Sequence, residues 1–207
     1  MKKFELTSET KINIFGKKLF RIKALISFGN VEAGETGGWV EKEENVNQSG
    51  DAWVSGNAMV YGNAEVSGNA RVSGNARVSG DAWVSGNARV SGNAEVSGDA
   101  MVSGNAEVSG NAMVSGNAEV YGNAEVYGNA EVSGNADYTT IRGFGTQFRT
   151  TTFFRCKDKQ VKVSCGCFYG TIPEFREQVK NTRKGKIAEE YLMIADLMEK
   201  HFAEEAK

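Results

Sequence analysis

Gly50-Asp51-Ala52-Trp53-Val54-Ser55 and Gly56-Asn57-Ala58-Met59-Val60-Tyr61 are the first two of fourteen consecutive six-residue units. The run continues to Ser133 as Gly-(Asn/Asp)-Ala-x-Val-(Ser/Tyr). Valine stands at 54, 60, 66 and every sixth residue to 132, and Tyr138 takes the next place in register. Internal repetition of this kind decides architecture before any local propensity does. An even period suits strands, whose side chains alternate between faces. Ala and Val then share one face, while x and Ser share the other. The residues at x are Trp, Met, Glu and Arg, so that face looks outward and Val and Ala point in. Gly followed by Asn or Asp supplies the corner, since Gly accepts φ > 0 freely and Asn and Asp tolerate it. A helix is excluded: six is no multiple of 3.6, and a Gly every six residues costs about 1 kcal/mol each.

A lone short strand cannot bury its valine. Stacked coils can, because the next coil, about 4.8 Å away, completes the backbone hydrogen bonds. Each Val then rests on a Val above and below, and the corner Asn and Asp side chains can form a ladder.

Val and Ala two residues apart in every unit resemble the hexapeptide repeat of left-handed β-helix proteins. The resemblance implies a mainly β fold, a single-stranded left-handed parallel β-helix with three units, or 18 residues, per coil. Fourteen units then make nearly five coils, roughly 22 Å of solenoid. A flattened coil of two units is the structural alternative. Residues 1–49 are read as a β cap, 50–137 as the β-helix, and 138–207 as a small α+β region with a hairpin and two helices.

With 18 residues per coil the x positions fall into three columns. One reads Trp53, Arg71, Arg89, Glu107, Glu125; the second Met59, Arg77, Glu95, Met113, Glu131; the third Glu65, Trp83, Met101, Glu119, Asp137. Arg89–Glu107 and Arg77–Glu95 are expected ion pairs, and Trp53–Arg71 an expected cation–π contact. Two readings of this outer face stand: a solvated surface of mixed charge, or a binding surface. The second rests on Trp53, Met59, Trp83, Met101 and Met113, large apolar residues that the repeat forces outward, among Arg71, Arg77 and Arg89. Tyr121 and Tyr127 stand where other units have Ser.

Charge is uneven. The whole chain is at −2, but residues 50–136 carry 3 Lys/Arg against 9 Asp/Glu, and residues 138–207 carry 13 against 9. No stretch approaches a membrane helix, the N-terminus is too polar for a signal peptide, and three cysteines suit a reducing compartment. The expectation is a soluble intracellular protein.

At the N-terminal end, Lys11–Phe15 and Leu19–Leu25 suggest a hairpin turning at Gly16-Lys17-Lys18, and residues 29–40 a loop into the first coil. Val40 and Val46 already stand six apart. At the other end, Thr150–Phe154 and Gln160–Phe168 suggest a hairpin around Lys157-Asp158-Lys159. Thr171 caps a helix with Pro173 and Glu174 in its first turn, and Gly185 stops it. A second helix from about Lys186 to Glu204 carries Ile187, Tyr191, Ile194, Met198 and Phe202 at helical spacing. Val31-Glu32-Ala33-Gly34, Gly37-Gly38-Trp39-Val40, Thr151-Thr152-Phe153-Phe154 and Val163-Ser164-Cys165-Gly166-Cys167-Phe168 resemble the flanks of a prophage and bacterial hexapeptide-repeat family of unassigned function. Its members are loosely labelled transferase-like or polymer-forming. This bacterial resemblance implies a cytoplasmic protein of a bacterial host.

Hexapeptide-repeat acyltransferases generally use a histidine base in or near the coils, and the related carbonic anhydrases need three on zinc. The single histidine here is His201, outside the repeats. Cys165 and Cys167 fall on one face of the expected strand, and with Cys156 and His201 could make a zinc site of nonstandard spacing. The blander reading is three small strand residues. Arg142, Arg149, Arg155, Lys157, Lys159 and Lys162 around Phe148, Phe153 and Phe154 offer a weak nucleic-acid surface. The expected function is that of a non-enzymatic, phage-type binding scaffold without cofactor. Its expected partner is a host or phage protein, with inhibition of a host defence protein included, and the resemblance together with the outward Trp and Met points to a homo-oligomer, a trimer favoured over a dimer. A hexapeptide-type acyltransferase and nucleic-acid binding through the basic region are the alternatives.

Overall fold

A computed structural model of the chain describes residues 2–203. Three long strands come first: β1 (Phe4–Ile12), β2 (Lys18–Ala24) and β3 (Thr36–Val40). Two-residue strands follow, β4 to β17, from Trp53–Val54 to Glu131–Val132 at six-residue intervals. Each is the x-Val step of one repeat unit. Pairing is parallel with a spacing of 18, as in Met59↔Arg77 and Val60↔Val78. The coil therefore holds three units, and the two-unit alternative is excluded. The protein is a parallel β-solenoid of about five turns with three sheet faces.

Every Val from 54 to 132 and every Ala from 52 to 130 is buried. The inward face is thus one continuous apolar column, the stacking that a short strand needs to hide its side chain. Corners repeat one arrangement. Asn87 N donates to Gly104 O, one coil on, at 2.7 Å, and Ala88 N donates to Ser85 O at 3.2 Å across the turn. Gly86 sits there at φ +66. Asn side chains climb the corners as expected: Asn69 Nδ2 donates to Asn87 Oδ1 and Asn87 Nδ2 to Asn105 Oδ1, each at 3.0 Å.

The first coil starts earlier than the repeat. Residues 36–40, expected as loop, form β3, which pairs antiparallel with β2 and parallel with Met59–Val60. Val40 and Val46 both point inward and pair with Val60 and Val66, a spacing of 20, so the first coil holds two residues more than the coils of the repeat. The β1–β2 hairpin is longer than expected and extends this sheet. Asn13 Oδ1 holds its turn by accepting from Phe15 N at 3.0 Å and Lys17 N at 2.9 Å.

The far end is closed by a four-stranded antiparallel sheet: β18 (Tyr138–Ile141), β19 (Thr151–Arg155), β20 (Val161–Cys165) and β21 (Phe168–Thr171). The expected single strand over Gln160–Phe168 is split, because Gly166 at φ +61 turns the chain between β20 and β21. Strand alternation sends Phe154 into the solenoid core and Phe153 to the opposite side, against the helices. One sheet thereby serves two cores. The helices are α1 (Ile172–Thr182) and α2 (Gly185–His201). Thr171 caps α1, its Oγ1 accepting from Glu174 N at 3.4 Å while Glu174 Oε2 accepts from Thr171 N at 2.6 Å. Gly185, expected to stop α1, instead opens α2 three residues after α1 has ended. Tyr191, Ile194, Met198 and Phe202 are buried as their spacing predicts. The expected helix end at Glu204 lies outside the described residues. No helix of the described residues is long and apolar enough to cross a membrane.

Candidate functional site

The outward columns fall one to a face, in the order that the 18-residue coil predicts. One face carries Arg71, Arg89, Glu107 and Glu125 below Trp53. The second carries Met59, Arg77, Glu95, Met113 and Glu131 below Trp39. The third carries Glu65, Trp83, Met101 and Glu119. Asp137 leaves its column: it lies in a short 3-10 turn, where its carboxylate accepts from Ser133 N at 2.9 Å and faces Arg155 at 3.4 Å. Both expected ion pairs form, Arg77–Glu95 at 2.5 Å and Arg89–Glu107 at 3.5 Å.

Trp53 is not on the outer surface where it was expected. It is 2% exposed, with Phe4 and Phe28 set edge-on against its ring at 6.2 and 5.4 Å. The repeat does force this side chain outward, but the N-terminal segment folds over the top coil and covers it. Its expected cation–π contact with Arg71 does not form, although the two residues are in register. Tyr127 is likewise drawn in. It stacks on Tyr169 at 4.5 Å under the C-terminal sheet, and burial, the first cause, raises its phenol pKa. Tyr121 stays exposed.

Trp83 and Met101 are adjacent on one face, paired across neighbouring coils of the repeat. Trp83 is 46% exposed. Its indole is nonetheless fixed, because Nε1 donates to Ser67 Oγ at 2.9 Å. Met59 and Met113 share the second face, with Arg77 and Glu95 between them.

The basic tail residues are not one surface. Arg155 is tied to Asp137 and donates to Phe202 O at 2.9 Å. Lys157 and Lys159 sit in the turn before β20, and Arg149 lies at the other end of the sheet, over Gly166. Phe153 and Phe154 are fully buried and cannot stack on bases; Phe148 remains exposed.

The thiols do not converge either. Cys156 pairs with Gln160 at the mouth of the turn, whereas Cys165 lies opposite Thr151 at the other end of β20. Cys167 is exposed beyond Gly166, so the two thiols of Cys-Gly-Cys do not share a strand face. Among the described residues no group of three His, Cys, Asp or Glu side chains is placed to hold a metal ion. Burial pushes the Cys156 thiol up to about 11. His201 is exposed at the end of α2, its ring against Phe202. A hollow of about 500 Å³ between β20–β21 and the helices is lined by Arg149, Cys165, Phe175, Arg183 and Tyr191. Sequence reading missed it, since Arg183 and Tyr191 reach it only through helix packing.

These features define a β-solenoid repeat protein with a sheet-and-helix cap. A family model described as the YdcK β-solenoid repeat matches residues 52–68, 64–80, 70–86 and 106–122, so these coils are similar to that repeat. No curated protein matches the chain.

Proposed function

We propose that the protein is a non-enzymatic binding scaffold whose third face docks a partner protein through Trp83 and Met101. The observation that carries this reading is the state of Trp83, which is half in solvent yet fixed by its bond to Ser67. A rigid exposed indole beside a thioether is a low-entropy anchor of the kind that dominates protein interfaces. Glu65 and Glu119 bracket the pair along the solenoid axis. The fitting partner therefore presents an apolar recess with basic groups on its rim. The family resemblance supports a phage-type role directed at a host protein, a defence enzyme among the candidates.

The test is capture from bacterial lysate with wild type, Trp83→Ser and Arg89→Ala in parallel. A partner retained by wild type and Arg89→Ala but lost by Trp83→Ser supports the reading. An identical captured set for all three overturns it. So does turnover of an acyl-CoA that one substitution in this chain abolishes.

A further inference from the structure

The outer column of the second face is self-complementary when reversed. From the N-terminal end it reads Trp39, Met59, Arg77, Glu95, Met113, Glu131. Trp39 is itself overlaid by two cations, Lys11 Nζ at 4.4 Å and the Arg21 guanidinium at 4.8 Å from its ring. The column is therefore cation, Met, cation, carboxylate, Met, carboxylate. Turn a second copy end for end about a point between Arg77 and Glu95. Arg77 then meets Glu95 of the second copy, Met59 meets Met113, and the Lys11–Arg21 pair meets Glu131.

We infer that this face pairs with the same face of a second copy, the two solenoids antiparallel about a two-fold axis. An isologous interface requires that one patch complement itself, and a two-fold axis across a regular ladder turns that into a test on sequence order. The other faces do worse. On the third, the same operation sets Glu65 against Glu119, like against like. On the first, Arg71 and Arg89 do meet carboxylates, but its apolar residue Trp53 is buried under the cap, so no apolar contact accompanies the charges. A parallel arrangement, including the three-fold one, keeps each coil at its own height. It sets the arginine-bearing upper coils together and the glutamate-bearing lower coils together.

The hairpin tip adds shape to charge. Ile12, Ile14 and Phe15 are 73, 78 and 64% exposed, and the tip borders a groove with Met59, Tyr61 and Arg77. It overhangs only the upper half of the face. Antiparallel pairing lays each apolar tip over the uncovered lower half of the other copy, near Met113.

Sedimentation of the full chain at high micromolar concentration is expected to give a dimer. Glu95→Arg puts arginine against arginine across the axis and raises the dissociation constant by about tenfold or more. Adding Arg77→Glu to that variant restores both the internal pair and the cross-copy pair, and with them the dimer. For topology, Met59→Cys and Met113→Cys are placed in chains whose own three cysteines are replaced by serine. Oxidation of the mixed chains should link 59 to 113, with neither chain alone linking to itself. A wild-type monomer, a trimer, a dimer indifferent to Glu95→Arg, or a 59-to-59 link would each overturn the inference. Melting curves of every variant separate misfolding from loss of pairing.

Discussion

Gly86 lies so close to Gly104, one coil on, that a Cβ built on Gly86 would stand 2.9 Å from both the N and the O of Gly104. Gly122 has the same left-handed φ but would meet nothing within 4 Å, because its corner faces the end of the solenoid. Both positions disfavour a side chain by about 1–2 kcal/mol for the φ alone. Gly86→Ala must also push backbone against backbone, roughly 1–3 kcal/mol more. Denaturant unfolding should rank wild type above Gly122→Ala and that above Gly86→Ala. Equal losses would mean that the stack is looser than its spacing indicates.

One corner column breaks the amide ladder. Asn63 Nδ2 donates to Asp81 Oδ1 at 2.9 Å, but Asp81 is followed one coil on by Asp99, and a carboxylate facing a carboxylate offers only acceptors where the ladder needs an N–H donor. Asp81→Asn can accept from Asn63 and donate to Asp99. It should stabilise the protein by about 0.5–1.5 kcal/mol. A lower melting temperature for this variant would sink the argument.

Lys3 and Cys156 give opposite pH signatures at the two ends. Lys3 Nζ is buried against Ala52 O at 2.9 Å and Gly50 O at 3.2 Å, and desolvation lowers its pKa from 10.5 to about 8, with Asp51 opposing. The unfolded chain then holds more protons between pH 8 and 10.5, so this group adds stability as pH rises through that window. Cys156 is shifted from 9.0 up to about 11, chiefly by burial, so the folded chain holds the extra proton and stability falls from pH 9 to 11. Unfolding midpoints of wild type, Lys3→Met and Cys156→Ala across pH 7 to 11 check both signs. Lys3→Met should lose the rise, and Cys156→Ala should lose the fall.

Thiol labelling distinguishes the cysteines. Cys167 is exposed, Cys165 half-buried and Cys156 buried. Alkylation of native protein should modify Cys167 first and reach Cys156 only on unfolding. Early modification of Cys156 would contradict the closure of the last coil.

The tryptophans differ in the same way. Trp53→Ala removes a ring wedged between Phe4 and Phe28 and should cost about 3–5 kcal/mol. Trp83→Ala leaves the core untouched and should cost well under 1 kcal/mol. Chemical denaturation reads both, and a large loss for Trp83→Ala would assign it to stability rather than binding.

The solenoid was legible in the residues themselves. A strict period of six, small and branched residues at fixed places and glycine at each bend specify which side chain faces in. The period of six left coils of two and of three units open; with the three units that the resemblance implied, neighbours within the repeat stand 18 residues apart, and Arg77–Glu95 and Arg89–Glu107 follow from counting. What happens at the ends does not repeat, so no count predicts it. Trp53 is buried by Phe4 and Phe28, 49 and 25 positions earlier, and Phe153 and Phe154 are divided between two cores by one strand. Cys165 and Cys167 are parted by a single left-handed glycine. The sequence alone determined the repeating body, because there each contact is local in register. The packing of segments remote along the chain decided which outward residues remain available for binding.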